Sequence, residues 1–209
     1  VDIETTVAGG RPSFVIVGLP DTAVRESRER VRSALNHQGF TFPSGKVVVN
    51  LSPADIPKAG STYDLPIALS ILSTAFEAPL DFGGYVAVGE LSLDGEVRPV
   101  RAALAAVDVA RRAGKTCLVS HRSSLRPGDA SSVAPVATLA EAVAIARALL
   151  GDPPILVGDE PSLGSVTLPG LFVGVGGRHD DGAVAAMHGR ANPFQAVREG
   201  AIVVVEEPH

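Results

Sequence analysis

A chain of 209 residues with 45% apolar and 20% charged residues has the make-up of an ordinary globular protein, with room for one domain of about 150 residues and an appendage. No apolar stretch nears the roughly 18 residues of a membrane span, and no basic-then-apolar leader opens the chain. A net charge of −5 excludes a basic protein built to coat nucleic acid, so any such contact needs a local patch.

The charge is uneven. Residues 1–150 carry 15 Lys+Arg against 15 Asp+Glu, whereas residues 151–209 carry 3 against 8. The shift coincides with "GDPPILVGDEP", rich in proline, glycine and acid. It divides the sequence into a domain over 1–150 and an acidic C-terminal segment over 151–209. The first residue is Val, which reads as a processed or trimmed start. The single cysteine, Cys117, rules out an internal disulfide and fits a reducing cytosol. It lies in "KTCLVS", a strand-like apolar run that predicts a buried, inert thiol.

"VDIETTVA" alternates as a strand does, and "SFVIVG" is a second strand after the turn signal "GGRP". Asp21 is placed to cap a helix over "TAVRESRERVRSALNHQG", which Gly39 can end. "KVVVNLS" reads as a third strand. A helix follows from about Leu65 to Phe76, with Pro66 tolerated in its first turn. "YVAVGELSLDGEVRPV" predicts a hairpin with Asp94-Gly95 at its tip. "RAALAAVDVARRAG" and "TLAEAVAIARALLG" are helical, with the strand "KTCLVS" between them. In the acidic segment "LFVGVGG" and "AIVVVEE" look like strands, and "GAVAAMHGRA" like a weak helix. The order predicts a mixed α/β (α+β) domain, not a doubly wound parallel sheet.

Several stretches imitate binding motifs. Gly114-Lys115-Thr116 matches the end of a phosphate-binding P-loop, but the first glycine of that motif falls on Val109. The order is also reversed, since here a helix ends and a strand begins, which makes Gly114 a helix C-cap. In "GVGGRHDDG", Gly174, Gly176 and Gly177 beside Arg178 could approach an anion, yet the third glycine of the dinucleotide pattern falls on His179. His179, Asp180, Asp181 and His188 have no recognised metal-ligand spacing and read as solvated loop residues. No metal site is expected. Arg25, Arg28 and Arg32 share one helical face, interleaved with Glu26 and Glu29. Such a face is either solvated and laced with weak ion pairs or a contact for phosphates or a partner subunit.

One stretch raises the question of catalysis. "PKAGSTYDLPIAL", residues 57–69, sets a lysine and two hydroxyls just before an apolar run. Together with "FVIVGLPDTAVRESRERVRSAL" and "VGELSLDGEVRPVRAALAA" it resembles the N-terminal domain of Mg-chelatase-like AAA+ ATPases of the ComM/YifB type, over residues 1 to about 150. The resemblance implies a ribosomal-S5-domain-2-like fold, shared with the proteolytic domain of Lon: a mixed sheet packed with helices. In Lon-type peptidases the nucleophilic serine follows a "PK-x-G" turn. Laid on Pro57-Lys58-Ala59-Gly60, that turn puts the nucleophile position at Thr62, with Ser61 before it, and the lysine base at Leu104. Leucine accepts no proton, and an unassisted hydroxyl is a negligible nucleophile near neutral pH. Lys58, the lysine nearby, is expected on an exposed turn, protonated. The site therefore reads as degenerate: Gly60 turns the chain, Ser61, Thr62 or Asp64 caps the helix, and Leu65, Ile67, Ala68 and Leu69 enter the core.

The relatives continue into a P-loop motor, so ATP and Mg²⁺ are implied for that motor and no cofactor for this chain. The last 60 or so residues resemble no part of it; "PGLFVGVGGRHDDG" and "AVREGAIVVVEE" are similar, over a short glycine-driven stretch, to the UDP-binding domain of Mur ligases. The family implies a non-catalytic accessory or assembly domain in DNA processing (competence, recombination, branch migration). The alternatives are a Lon-like peptidase using Thr62 or Ser61, and a magnesium chelatase that would need ATP hydrolysis. Ring-like self-association, DNA and an AAA+ motor are the implied partners, in the cytoplasm and away from membrane. Arg25, Arg28, Arg32, Lys46, Lys58, Arg98 and Arg101 are the candidate contact residues for DNA or a neighbouring subunit.

Overall fold

The computed structural model describes residues 1–75, 82–126, 128–149 and 202–203. Contacts gather residues 1–157 and 198–209 into one unit, which contains all of these; residues 158–197 form a second unit outside them. The strand expected at "LFVGVGG", the helix at "GAVAAMHGRA" and the loop holding Gly174, Gly176, Gly177, Arg178, His179, Asp180, Asp181 and His188 all lie outside the described residues.

The first half of the chain builds three strands and two helices. Strands β1 (Asp2–Ala8) and β2 (Ser13–Val17) do not pair with each other; β3 (Lys46–Ser52) runs between them, antiparallel to β1 and parallel to β2. Helix α1 (Thr22–His37) makes the crossover from β2 to β3. It starts where Asp21 accepts a 2.7 Å bond from the Val24 amide, which satisfies one of the free first-turn donors. It ends at Gln38, with Gly39 taking the positive φ of 77° that a side chain would resist. Gly18 is required for another reason. It leaves β2 at φ 97°, and a Cβ there would stand 2.1 Å from the Leu51 carbonyl oxygen.

Helix α2 (Asp64–Ala75) is buried at every position from Asp64 to Leu72, which makes it the central helix of the core. It lies on β1, where Ser70 and Thr5 share a 2.7 Å hydroxyl–hydroxyl bond. Buried Ile3, Phe14, Ile16, Val47, Val49 and Leu51 alternate along the three strands beneath the helices. The opposite positions Val15 and Val17 are exposed.

The second half adds β4 (Tyr85–Ala87), β7 (Thr116–Ser120) and β8 (Val133–Val136), all parallel. Helix α3 (Ala103–Arg112) packs on β4 and β7, and α4 (Leu139–Leu149) follows β8. β8, which the sequence reading does not include, carries Pro135; among the described residues it is an edge strand, where proline removes no ladder bond that the sheet needs. Thr138 and Glu141 cap α4 reciprocally: the Glu141 amide donates to the Thr138 hydroxyl at 3.2 Å, and the Glu141 carboxylate accepts from the Ala137 amide at 2.7 Å. The short strands β5 (Glu90–Leu91) and β6 (Val97–Arg98) form a hairpin, and Gly95 at its tip has φ 87°. That hairpin is shorter than the sequence suggests. Tyr85–Ala87 belongs instead to the main sheet, which the continuous burial of all three residues explains.

Strand β9 (Ile202–Val203) joins the halves, antiparallel to β1 and parallel to β4, giving the order β2-β3-β1-β9-β4-β7-β8. Cys117 is buried in β7, and burial pushes its thiol up to about 12, so it is inert at neutral pH.

Candidate functional site

The loop from Pro53 to Tyr63 folds back against the start of α1. The Lys58 amide donates to the Leu19 carbonyl at 3.1 Å, and the Asp21 amide to the Lys58 carbonyl at 2.9 Å. Gly60, at φ 82°, turns the chain, and its amide reaches the second carboxylate oxygen of Asp21 at 3.2 Å. One aspartate thus caps a helix and holds the loop.

Lys58 is not on an exposed turn. It is fully buried, and its ammonium donates to the carbonyls of Pro53 and Ile56, the latter at 2.7 Å. The loop wraps over the side chain and supplies both acceptors from its own backbone, which is how a buried cation is tolerated. Lys58 therefore offers neither a base to Ser61 and Thr62 nor a charge to DNA or a neighbouring subunit.

The two residues meet other partners. Ser61 donates to the Glu90 carboxylate of β5, and Glu90 also faces Arg98 at 3.7 Å. The Thr62 carbonyl accepts from the Gly89 amide at 3.1 Å, while the Gly89 carbonyl accepts from Leu65 at 3.0 Å. The residues ahead of α2 are thus stitched to the strand entering the hairpin. Asp64, one of the expected caps, turns its carboxylate away to Arg30, at 2.6 and 3.0 Å, and to the Leu91 amide at 3.2 Å. Burial pushes its carboxyl above the ordinary aspartate range, more than Arg30 draws it down; the same carboxylate raises Arg30. The two shifts pull in opposite senses for the charged pair. The carboxyl of Asp64, the fully buried partner, is held up by its loss of water. Leu104 sits in the first turn of α3, half-buried. Among the described residues, neither Ser61 nor Thr62 is hydrogen-bonded to a lysine or a histidine.

The P-loop imitation is as the sequence reads it. Gly114 leaves α3 at φ 65°, the Lys115 amide bonds back to the Ala110 carbonyl at 2.8 Å, and Thr116 opens β7.

The arginine face of α1 lies along the edge of the sheet. Arg28 reaches the Phe14 carbonyl of β2 at 3.4 Å, and Arg32 stacks over the Phe42 ring at 4.7 Å. Lys46 pairs in register with Ser13, at the same end of β2. Arg11, exposed in the turn before β2, stands by this group and was not expected from the sequence, where it reads as a turn residue. Arg25 is exposed two turns of helix before Arg32. Arg98 and Arg101 are exposed elsewhere, beside the hairpin. The seven expected contact residues thus divide into Arg25, Arg28, Arg32 and Lys46 along one edge, Arg98 facing Glu90 with Arg101 three residues on, and Lys58 inside. Arg30, four residues after Glu26 and so readable as a member of a surface ion pair, instead reaches inward to Asp64. Its spacing from the buried Ser27 and Ala34 places it on the flank of the buried face, and that spacing was a readable signal.

On β2 and the loops at its end, Val15, Val17, Leu19 and Ile56 are exposed, and among the described residues β2 pairs on one side alone.

YifB of Salmonella typhimurium, an uncharacterized protein, is 40% identical over 129 residues, which is 61% of this chain and 26% of that protein. An uncharacterized protein of Mycobacterium tuberculosis is 43% identical over 126 residues, 60% of this chain and 25% of its own length. The competence protein ComM of Haemophilus influenzae is 36% identical over 125 residues, 59% of this chain and 25% of that protein. The chain therefore spans about a quarter of the length of the curated relatives it matches. The family model described as subunit ChlI of Mg-chelatase matches residues 3–123, more than half of the chain. The chain belongs to that Mg-chelatase-like family, in the company of the YifB and ComM proteins.

Proposed function

We propose that this chain is a non-catalytic accessory and assembly domain of a ComM/YifB-type AAA+ protein acting in DNA processing, with the ribosomal-S5-domain-2-like arrangement that its motifs imply. The observation that carries the reading is the burial of Lys58. The lysine of the "PK-x-G" turn is spent on two backbone carbonyls, and Leu104 stands where a Lon-type peptidase keeps its base. The Ser61 hydroxyl is then spent on Glu90, and Thr62 is held through its backbone.

The edge formed by β2 and α1 is the contact surface. Exposed valine and leucine on the strand that α1's arginines border suit a protein partner better than a phosphate backbone, which is bound by charge with little call for apolar area. The partner is a second copy of the chain in a ring, and the ATP-driven motor lies in the remaining length of such proteins. DNA is the second reading, favoured by the gathering of Arg11, Arg25, Arg28, Arg32 and Lys46 at one edge of a nearly neutral domain. Light scattering and a gel shift with branched DNA at two salt concentrations, beside a casein cleavage assay, test these readings together. Self-association without cleavage is the expected result, and casein cleavage lost with Thr62→Ala would sink it.

A further inference from the structure

Helices α1 and α2 lie on one face of the β2-β3-β1 half of the sheet, and no residue of these strands that points to the opposite face is buried. The other half differs, since Tyr85, Val86 and Ala87 are buried in succession. Register sets the outer face in rows across the strands. Val15, Val48 and Thr6 stand side by side, with Val17, Asn50 and Glu4 in the row beside them. The face ends at Asp2 beside Ser52 in one direction and at Lys46 beside Ala8 in the other. Two features set it apart from a surface built for water. A solvated sheet face carries polar side chains, yet Val15 and Val17 stand 37% and 40% exposed, with Val48 next to Val15. Charge is also sorted lengthwise, with Asp2 and Glu4 at one end and Lys46 at the other, about 20 Å from Asp2 at the rise of an extended strand.

We propose that this outer face is a self-docking surface, which packs about a two-fold axis against the same face of a second copy of the chain. It rests on the reading of a second copy as the partner and adds a contact apart from the α1 edge. Two sheets pack face to face about 10 Å apart with their strands nearly aligned, which leaves two ways to lay this face on itself. With the axis along the strands, β1 lies on β2 of the second copy. Glu4 is then pressed onto Val17, and Lys46 onto Lys46, so a carboxylate loses water without a partner and like charges meet. With the axis across the strands, each strand lies on its own counterpart, run in the opposite direction. Val15 then meets Val17 of the second copy, and Lys46 lands on Ser52, next to Asp2, at both ends of the contact. Burial and charge thus select the same arrangement. It closes on two copies, so it makes pairs and not fibres. Three strands of seven residues give a face of roughly 14 by 24 Å. That is well below the roughly 800 Å² per partner of a standard interface, so the face pairs weakly and works together with the edge.

The test is sedimentation velocity of the full chain over a wide range of concentration, with thermal melts to check folding. Asp2→Lys sets lysine against Lys46 of the second copy, and Lys46→Glu sets glutamate against Asp2. Each change alone should weaken self-association by about tenfold. The chain carrying both regains an opposite pair at each end and should associate as the wild type does. An equal mixture of the two single variants should recover in the same way through mixed pairs, a result that damage to the fold cannot imitate. Val17→Lys plants a charge at an exposed position in the apolar middle of the face. It should weaken the pair as much, and it keeps the question answerable if a reversal at the strand end unfolds the chain. A self-associating wild type whose single reversals behave like it overturns the face and leaves the edge contact standing. So does a double variant, or a mixture, as weak as the single variants. A wild type that is monomeric at every concentration overturns both contacts.

Discussion

Arg30 on α1 grips the buried carboxylate of Asp64 at the start of α2 through two nitrogens, with Nε at 2.6 Å from one oxygen and Nη2 at 3.0 Å from the other. The same carboxylate accepts from the Leu91 amide of the hairpin, so three elements meet on one side chain. Truncation of Arg30 to alanine leaves that carboxylate buried with the amide as its remaining donor, and should cost about 3–5 kcal/mol in urea unfolding. Asp64→Asn keeps the shape and removes the charge, so it should cost less. The pH dependence has a definite sign. Burial raises the Asp64 carboxyl in the folded state, so between the ordinary aspartate range and the raised value the folded chain binds more of that proton than the unfolded chain does. Stability from this group therefore falls as pH rises from the ordinary aspartate range through the raised value. Loss of Arg30 raises that carboxyl further, so the Arg30→Ala penalty should grow across the same rise and shrink on acidification. A penalty independent of pH would refute the account.

Lys58→Met keeps the length of a buried side chain but strips the Pro53 and Ile56 carbonyls of their donor. A loss of about 2–4 kcal/mol is expected, with the loop around Gly60 opening first in hydrogen exchange. A stable variant with unchanged exchange would show that the ammonium does not hold the loop.

Ser61→Ala removes the bond to Glu90 and should cost about 1 kcal/mol; Thr62→Ala should cost no more. Neither change should alter peptide cleavage, because none is expected of the wild type. A fluorescent casein assay gives the answer in one plate.

Arg28→Glu with Arg32→Glu reverses charge beside the open edge of β2 and removes the stack on Phe42, worth about 0.5–1 kcal/mol. Folding should survive and self-association should fail. If DNA is the true partner, the double variant stays associated but loses its gel shift. Wild-type affinity would then fall with salt at a log–log slope of roughly −2 to −3 for the two or three phosphates a monomer can neutralise.

ATP should leave the melting temperature unchanged. A ligand at 100 times its Kd would add about 2.7 kcal/mol, so a silent titration is informative. A clear rise would place a nucleotide site in this chain despite the reversed order at Gly114-Lys115-Thr116.

Local rules explain which parts of the molecule were readable. The α1 boundaries follow from Asp21 and Gly39, and α2 from an apolar run that is buried all round. The helix-then-strand order at Gly114 exposed the false P-loop. Long-range partners were not readable in this way. Arg30 and Asp64 stand 34 residues apart, and no local pattern says that they meet. The place of Lys58 depends on a loop folding back over its side chain, whereas "PKAG" by itself has the composition of a surface turn. Tyr85–Ala87 was read into the hairpin because its apolar run adjoins it, and only the parallel pairing with β7 separates the two. At β8, Pro135 argues against a central strand, and the edge position that admits it is a property of the assembled sheet.

The chain has three lysines, and its folding sorts their amines by chemical access. Lys46 is exposed, Lys115 is half-covered, and Lys58 is sealed. An amine-reactive reagent or an acetylating enzyme meets them in that order, and Lys58 reacts only in molecules whose Pro53–Gly60 loop has opened. Its rate of modification is a clock for that opening, readable by mass spectrometry without any engineered probe.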